Sequence, residues 1–259
     1  MPVLIGTSGW HYRHWRGGFY PASLPVREWL NFYAQRFATV EINNAFYRLP
    51  DAATFASWAG VLADDFVVSL KASRYLTHVR RLHDPVEPVQ RLMGRAGALG
   101  SKLGPVLLQL PPNLRIDLDA LSQTLDAFPR GTKVVVEPRH QSWFDPATRR
   151  LLEDWGAAWC LVDRAGPQGP LWRTTDWGYL RFHHGRSRPQ SCYGRTALAG
   201  WAGRLAGLWP ETAIVFAYFN NDGYGCAPRD AQRFASAARR AGLSPTRVPS
   251  ARDVPLTSS

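Results

Sequence analysis

The chain has 259 residues, 45% hydrophobic and 20% charged, which is typical of a globular protein whose core needs no metal or disulfide for stability. Its net charge of +11 would suit anionic partners such as phosphates or nucleic acid. However, the only lysines are Lys71, Lys102 and Lys133, and no run of about five basic residues occurs. The charge therefore reflects an arginine bias more than a nucleic-acid-binding arm.

Cysteine usage and hydropathy limit the class of protein further. Cys160, Cys192 and Cys226 are odd in number and widely spaced, so we expect neither a disulfide framework nor a zinc knuckle. The N-terminus lacks the charged start and apolar stretch of a signal peptide. No apolar run approaches the roughly 20 residues of a membrane span. We therefore expect a cytoplasmic protein without a membrane partner.

Short apolar runs alternate with amphipathic segments along the chain. Eight strands are predicted, over residues 3–7, 39–44, 66–71, 105–110, 133–137, 157–163, 178–183 and 213–220. Helices are predicted over residues 26–37, 52–62, 86–102, 117–128, 146–155, 195–208 and 228–241. The unit between the sixth and seventh strands lacks a clear helix.

This alternation predicts a parallel sheet with right-handed crossovers. Eight strands favour a closed TIM-type (β/α)₈ barrel, for which about 250 residues is typical. The first strand is not followed by GxGxxG, which disfavours a dinucleotide-binding Rossmann fold. We predict one barrel domain over residues 1–245 and a C-terminal tail over 246–259.

In each predicted strand from the second to the eighth, the last side chain on one face of the strand is polar. Side chains alternate between the two faces of a strand, and barrel enzymes place catalytic groups at the carboxyl ends of their strands. If this face points inward, seven residues converge at the mouth of the barrel. They are Asn43, Lys71, Gln109, Glu137, Asp163, His183 and Asn220.

Four of these residues are candidate catalytic groups, and each also has a structural interpretation. Lys71 is a lysine in a chain whose basic residues are mostly arginine, and a lysine pKa falls on burial, which suits acid–base or Schiff-base chemistry. The structural interpretation is that Lys71 only neutralises Glu41 or Glu137. Glu137 ends an apolar run, where a carboxylate requires a partner. Asp163 could instead cap the following loop, and His183 could be a hydrogen-bonded linker. Glu41 lies one layer deeper and could be scaffold or substrate-binding.

The remaining candidates are substrate-binding. Asn43, Gln109 and Asn220 carry amides, which donate and accept hydrogen bonds without charge. Arg139, after the fifth strand, and Arg181, on the seventh, could hold an anion.

The loop after the first strand, from Ser8 to Gly17, interleaves aromatic, basic and glycine residues. Its Trp10 could stack on a planar or sugar-like ligand. The alternative is an aromatic lid that packs the top of the barrel.

The metal-ligand pattern is weak. HxH on a strand, HExxH and DxD are all missing from the sequence, and Lys71 among the carboxylates disfavours a multinuclear cluster. We assign no metal ligands and no cofactor. A single, weakly bound divalent cation is compatible with this pattern.

Six segments together resemble a known family. They are Ile5–Trp10, Val40–Tyr47, Gln109–Pro112, Glu137–Trp143, Tyr179–His183 and Tyr218–Asn221. In this order they are similar to the domain of unknown function 72 family, also called YecE-like. The resemblance runs from residue 5 to about 240 and departs at His184, where the family more often has glycine. It implies a TIM-type barrel and carries no established reaction.

Three functional hypotheses follow. The first is an enzyme, of the lyase, isomerase or hydrolase type, that uses Lys71 and Glu137 on a small polar anionic substrate such as a sugar phosphate or a nucleotide-derived compound. The second is a nucleic-acid-binding protein or a metal-assisted phosphodiesterase of the endonuclease IV-like type, although an obvious three-metal ligand set is missing. The third is a ligand sensor without catalysis. The sequence does not predict an oligomeric state.

Overall fold

The computed structural model describes residues 1–165 and 169–254. Within these residues, nine strands alternate with helices, except between the sixth and seventh strands, where no helix is described. This arrangement defines an α/β fold. The strands are β1 Pro2–Thr7, β2 Thr39–Ile42, β3 Val67–Lys71, β4 Leu103–Gln109, β5 Val134–Glu137, β6 Ala158–Asp163, β7 Gly178–Phe182, β8 Val215–Phe219 and β9 Ser244–Pro245. The helices are α1 Trp29–Arg36, α2 Asn44–Tyr47, α3 Ala52–Val61, α4 Val86–Ala96, α5 Leu118–Asp126, α6 Pro146–Trp155, α7 Arg195–Leu208 and α8 Cys226–Arg240.

The strands form one sheet, in the order β2-β3-β4-β5-β6-β7-β8-β1-β9. The pairings between β1 and β8, β3 and β4, β4 and β5, β5 and β6, and β7 and β8 are all parallel. The parallel α/β architecture predicted from the alternation of strands and helices is therefore confirmed. The sequence did not predict β9, which pairs with β1 through Pro2 and Val3.

Contacts divide the chain into two compact units. The first unit consists of Met1–Glu41, Val162–Gln168 and Asp176–Ser259, as far as the structure describes them. The second unit consists of Ile42–Leu161 and Gly169–Thr175.

In the first unit, aromatic side chains form much of the core. Phe182 and Phe219, on the neighbouring strands β7 and β8, stack with ring centroids 4.3 Å apart, and Phe234 of α8 packs edge-on against Phe182. Near the start of the chain, Gly6 lies so close to β2 that an added Cβ would be 2.3 Å from the Thr39 carbonyl oxygen. Glycine at this position therefore allows the two backbones to approach closely.

In the second unit, local signals explain where the helices begin. Asp51, Asp117 and Asp145 accept hydrogen bonds from the backbone N–H of Thr54, Ala120 and Ala147, at 2.8, 2.9 and 2.8 Å. Each caps N–H groups that the first turn of a helix leaves without a partner.

The structure corrects several predicted boundaries. The second strand was predicted to reach Asn44, but β2 ends at Ile42 because the chain turns at Asn43 (φ −91°, ψ −22°) into α2. The predicted helix 86–102 ends at Ala96 and continues as a 3₁₀ segment, Gly97–Lys102, that contains Gly100 at φ +58°. The predicted helix 26–37 begins with a 3₁₀ turn before α1.

The structure also corrects the expectation of no disulfide. Cys192 and Cys226 are bonded, with Cα atoms 5.1 Å apart, which is within the normal range for a disulfide. The two cysteines are 34 positions apart in the sequence. The spacing of the cysteines in the sequence does not predict this disulfide. The two cysteines meet only because the fold brings the loop after β7 next to the first residue of α8.

The segment after residue 245, predicted as a tail, makes defined contacts as far as Val254. The Thr246 N–H donates to the Val3 carbonyl at 2.9 Å, and Arg247 Nε donates to the Ala34 and Phe37 carbonyls. Val254 is buried. This segment therefore packs against other parts of the first unit, to which it belongs.

Candidate functional site

In the second unit, Glu137 is the last residue of β5 and is fully buried. Its Oε1 atom accepts hydrogen bonds from Arg139 Nη2 at 2.6 Å and from Gln109 Nε2 at 3.1 Å. Gln109 is its direct neighbour in the register between β4 and β5. The ion pair offsets the cost of removing this carboxylate from water. Three residues predicted from the sequence therefore meet at the ends of two adjacent strands.

Lys71 ends β3 and is half-buried. Its ammonium nitrogen lies 4.0 Å from the ring centroid of Phe46, on α2, in a cation–π contact. In register, Lys71 is the neighbour of Leu107, which lies two residues before Gln109 on β4. Asn43, also predicted from the sequence, lies at the N-cap position of α2.

The sequence analysis missed His78. It lies in a π-helical turn, Tyr75–Val79, after β3, and such turns are frequent at functional sites. Its ring packs edge-on against Phe46, with centroids 5.0 Å apart. Burial lowers the pKa of His78, and the charges of Lys71, Arg74 and Arg139 lower it further. The imidazole is therefore neutral at neutral pH.

The Thr77 hydroxyl contacts the ring of His78. Its oxygen lies 2.8 Å from His78 Nδ1 and 3.1 Å from the Ser73 carbonyl oxygen, to which it can donate. When the hydroxyl donates to Ser73, His78 Nδ1 carries the imidazole hydrogen and the lone pair is on Nε2. Lys71 and Arg74 are close to His78 in the chain, but no local motif marks His78, because Phe46 and Arg139 come from separate segments.

In the first unit, Glu41 of β2 is fully buried. Its carboxylate accepts hydrogen bonds from the Ser8 hydroxyl at 2.6 Å, the Tyr179 hydroxyl at 2.7 Å and Arg181 Nη2 at 2.8 Å. Burial, together with the nearby Glu41 charge, raises the pKa of Tyr179 well above its usual value, so the phenol stays protonated and donates. These bonds tie β2 to β7 and to the residue that follows β1.

His183 and Asn220 immediately follow β7 and β8. Asn220 Nδ2 is 3.1 Å from His183 Nδ1, and Arg181 Nη1 is 3.4 Å from His183 Nε2. Three predicted site residues of the first unit therefore lie together.

Asp163, at the end of β6, contacts a helix. Its carboxylate accepts a short hydrogen bond from the indole nitrogen of Trp201 on α7, and its backbone carbonyl accepts from the His183 N–H at 2.8 Å. The Asp163 side chain therefore anchors α7. Trp10 is half-buried, and its carbonyl accepts from the Tyr20 hydroxyl at 2.5 Å.

A second feature that the sequence analysis missed lies in the first unit, around Asp222. This carboxylate is 2.8 Å from His14 Nε2 and accepts from the Trp15 indole nitrogen at 2.7 Å. Burial raises the pKa of Asp222, and the hydrogen bond to Asp222 raises the pKa of His14. His14 follows the first strand and Asp222 follows the eighth, so the two residues of this pair are far apart in the sequence and no single motif contains both.

One group of potential metal ligands occurs among residues 1–165 and 169–254. It consists of Cys192, Cys226 and Asp230, whose ligand atoms lie within 4.8 Å of one another. Because the two sulfurs are bonded to each other, they cannot act as thiolate ligands in this state.

The fold and these clusters define the general class of the protein: an α/β protein with a parallel sheet and ionisable side chains at the carboxyl ends of its strands. No helix in the described part of the chain is both long enough and apolar enough to cross a membrane.

The model of the family described as protein of unknown function DUF72 matches residues 4–253, and the chain belongs to this family. The resemblance found from the sequence motifs is thereby confirmed. None of the curated proteins matches the chain.

Solved structures of DUF72 family proteins are similar over most of the chain. One from Thermotoga maritima MSB8 is 26% identical, with a TM-score of 0.80 over 92% of this chain and 100% of its own. One from Enterococcus faecalis V583 is 17% identical, with a TM-score of 0.76 over 92% of this chain and 95% of its own. A second structure from that organism is 18% identical, with a TM-score of 0.75 over 92% and 97%.

Proposed function

We propose that this protein is an enzyme that performs acid–base chemistry on a small anionic substrate, a sugar phosphate or a nucleotide-derived compound. The observation that carries the proposal is the cluster of Glu137, Arg139 and Gln109 at the ends of β4 and β5. Lys71 and His78, which both contact Phe46, add a cation and an imidazole whose pKa is lowered by burial and by the charges of Lys71, Arg74 and Arg139.

We further propose that the strands are those of a TIM-type (β/α)₈ barrel, in which catalytic groups follow the carboxyl ends of strands. The cytoplasm remains the proposed compartment, where the Cys192–Cys226 disulfide would have to persist in a reducing environment, although such bonds are more usual in oxidising compartments.

The charge balance supports an anionic substrate. Glu137 is engaged by Arg139 and Gln109, so its carboxylate offsets part of the positive charge in this region. Lys71 and Arg74 add two further cations. An anion bound beside them would be stabilised by charge-assisted hydrogen bonds, which are roughly twice as strong as neutral ones.

The proposed roles follow from the chemistry of each group. Lys71 and Glu137 transfer protons, and His78 accepts a proton at Nε2, since a general base needs a lone pair at the operating pH. Arg139 holds the substrate charge while its bond to Glu137 fixes its position. Gln109 and Asn43 orient the substrate through their amides.

The first test is ligand binding, measured by the thermal shift of the purified protein against a panel of sugar phosphates and nucleotides. Any compound that stabilises the protein is then incubated with it, and the products are analysed by mass spectrometry. We expect at least one compound to bind and to be converted. Lys71→Met should abolish conversion and leave the fold intact, as judged by circular dichroism.

Lys133→Met is the matched control. Lys133 is exposed and directly precedes β5, at the opposite end of that strand from Glu137, so its loss should leave conversion unchanged. Full conversion by Lys71→Met, or binding without chemical change by the unmodified protein, would overturn the enzymatic proposal.

A further inference from the structure

A cavity of about 740 Å³ in the first unit uses none of the residues of the proposed catalytic site. Its polar lining comes from two helices, α7 and α8. The lining side chains are Arg195, Arg229, Gln232, Arg233, Ser236 and Arg240. The volume is within the range of about 300–1,000 Å³ that is typical of small-molecule sites.

The positive charge is arranged along one face of α8. Arg229, Arg233, Ser236 and Arg240 are separated by four, three and four positions, which places them on the same side of a helix. Gln232 and Ser236 add an amide and a hydroxyl, which hydrogen-bond each other at 3.3 Å. The cavity is therefore lined by a row of arginines on one helix face, with polar side chains between them, rather than by isolated surface arginines.

This charge is only partly compensated. Among the described lining residues there are four arginines and no carboxylate. Asp230 Oδ1 lies 3.3 Å from Arg229 Nη2, but Oδ2 of the same carboxylate accepts from the Tyr193 N–H and from Asn221 Nδ2. Burial lowers the pKa of Arg233, and the charges of Arg229 and Arg195 lower it further. The arginines thus repel one another across the cavity.

The N-terminus of α7 adds further positive charge to the cavity. Arg195 is the first residue of this 14-residue helix, and Gly194 at the N-cap provides no side-chain hydrogen bond to the first turn. A cation at a helix N-terminus is unfavourable, because the helix dipole already places positive charge there. An anion between Arg195 and Arg233 would offset both the repulsion between the arginines and the unfavourable position of Arg195 at the helix N-terminus.

We propose that this cavity binds a small molecule that carries a phosphate or diphosphate group. Guanidinium groups bind phosphate oxygens in a bidentate manner, and arginines on two elements can surround one such group. The site is concave, and Ala251 and Val254 line it as well, which provides apolar surface for the rest of a small molecule. These features favour a small phosphorylated compound over the backbone of a nucleic acid.

The test measures the affinity for inorganic pyrophosphate by isothermal titration calorimetry at physiological ionic strength. We expect saturable binding to the full chain. Arg233→Gln and Arg240→Gln should each weaken it by about tenfold, which corresponds to about 1.4 kcal/mol. Neither variant should lower the unfolding temperature appreciably, because Arg240 is exposed and Arg233 is half-exposed.

Arg239→Gln is the matched control, because Arg239 adjoins Arg240 on α8 but does not line the cavity. Equal weakening by Arg239→Gln would indicate a general charge effect and overturn the proposal. The absence of pyrophosphate binding would also overturn it. If a short single-stranded oligonucleotide binds more tightly than pyrophosphate, and this binding depends on Arg233 and Arg240, the small-molecule proposal is wrong and the arginines form a nucleic-acid-binding surface.

Discussion

Arg181 donates a hydrogen bond of 2.8 Å to Glu41, and both side chains are fully buried. The same carboxylate also accepts from Ser8 and Tyr179, so it satisfies three donors from the first unit. A buried charge that is paired and hydrogen-bonded in this way becomes costly when one partner is removed. The geometry favours the scaffold interpretation of Glu41 over direct substrate binding.

We predict that Glu41→Leu lowers the free energy of unfolding by about 3–5 kcal/mol, because Arg181 loses its buried counter-charge. Adding Arg181→Met should recover most of that loss. Urea unfolding followed by circular dichroism measures both effects. Glu153→Ala, which breaks the exposed pair with Arg149, is the control and should cost less than about 1 kcal/mol. A loss of that small size in Glu41→Leu would contradict the prediction.

His78 should titrate below the usual range for histidine. Because its pKa is lowered in the folded state, the folded protein binds fewer protons than the unfolded chain near the ordinary pKa of 6.5. Stability from this group is therefore present above that pH and is lost as the pH falls through the lowered pKa. NMR titration of the imidazole should show the pKa rising in Lys71→Met and unchanged in Lys133→Met. An unchanged value in Lys71→Met would count against the charge cluster.

His14 should behave in the opposite way. The hydrogen bond to Asp222 raises its pKa, so the folded protein binds more protons than the unfolded chain above the ordinary value. The contribution of this pair to the free energy of unfolding is fully present below the ordinary pKa of histidine. It is lost as the pH rises through the raised pKa of His14 in the folded protein. In Asp222→Asn, the NMR titration of His14 should shift to lower pH. His14→Gln identifies the resonance, and identical titration with and without Asp222 would refute the pairing.

The Cys192–Cys226 disulfide should stabilise the folded protein. It closes a loop between positions separated by 34 residues, for which the chain-entropy relation gives about 3–4 kcal/mol. Urea unfolding with and without a reductant should show a loss of this size. Cys192→Ser should show the same loss and no further response to reductant. Equal stability of the oxidised and reduced protein would contradict this contribution.

The sequence predicted the local features of the fold with good accuracy. The helices predicted from residues 52 and 146 begin at those residues, directly after Asp51 and Asp145, because an N-cap acts on backbone groups two or three residues away. The end of β2 was placed incorrectly, because the chain leaves the strand at Asn43 and forms the short helix α2. A single residue's propensity does not reveal such a turn.

The sequence alone predicted the alternation of strands and helices, the family, and the polar residues at the strand ends or directly after them. Gln109 and Glu137 are an example, since both the period of the strands and the parallel register place them side by side. The roles of the predicted site residues remain predictions. Which distant side chains meet depends on the fold, as with Arg139 near His78, Asp222 with His14, and Cys192 with Cys226. The physical reason is that periodicity and capping are local, whereas burial and Coulomb interactions depend on distance in space.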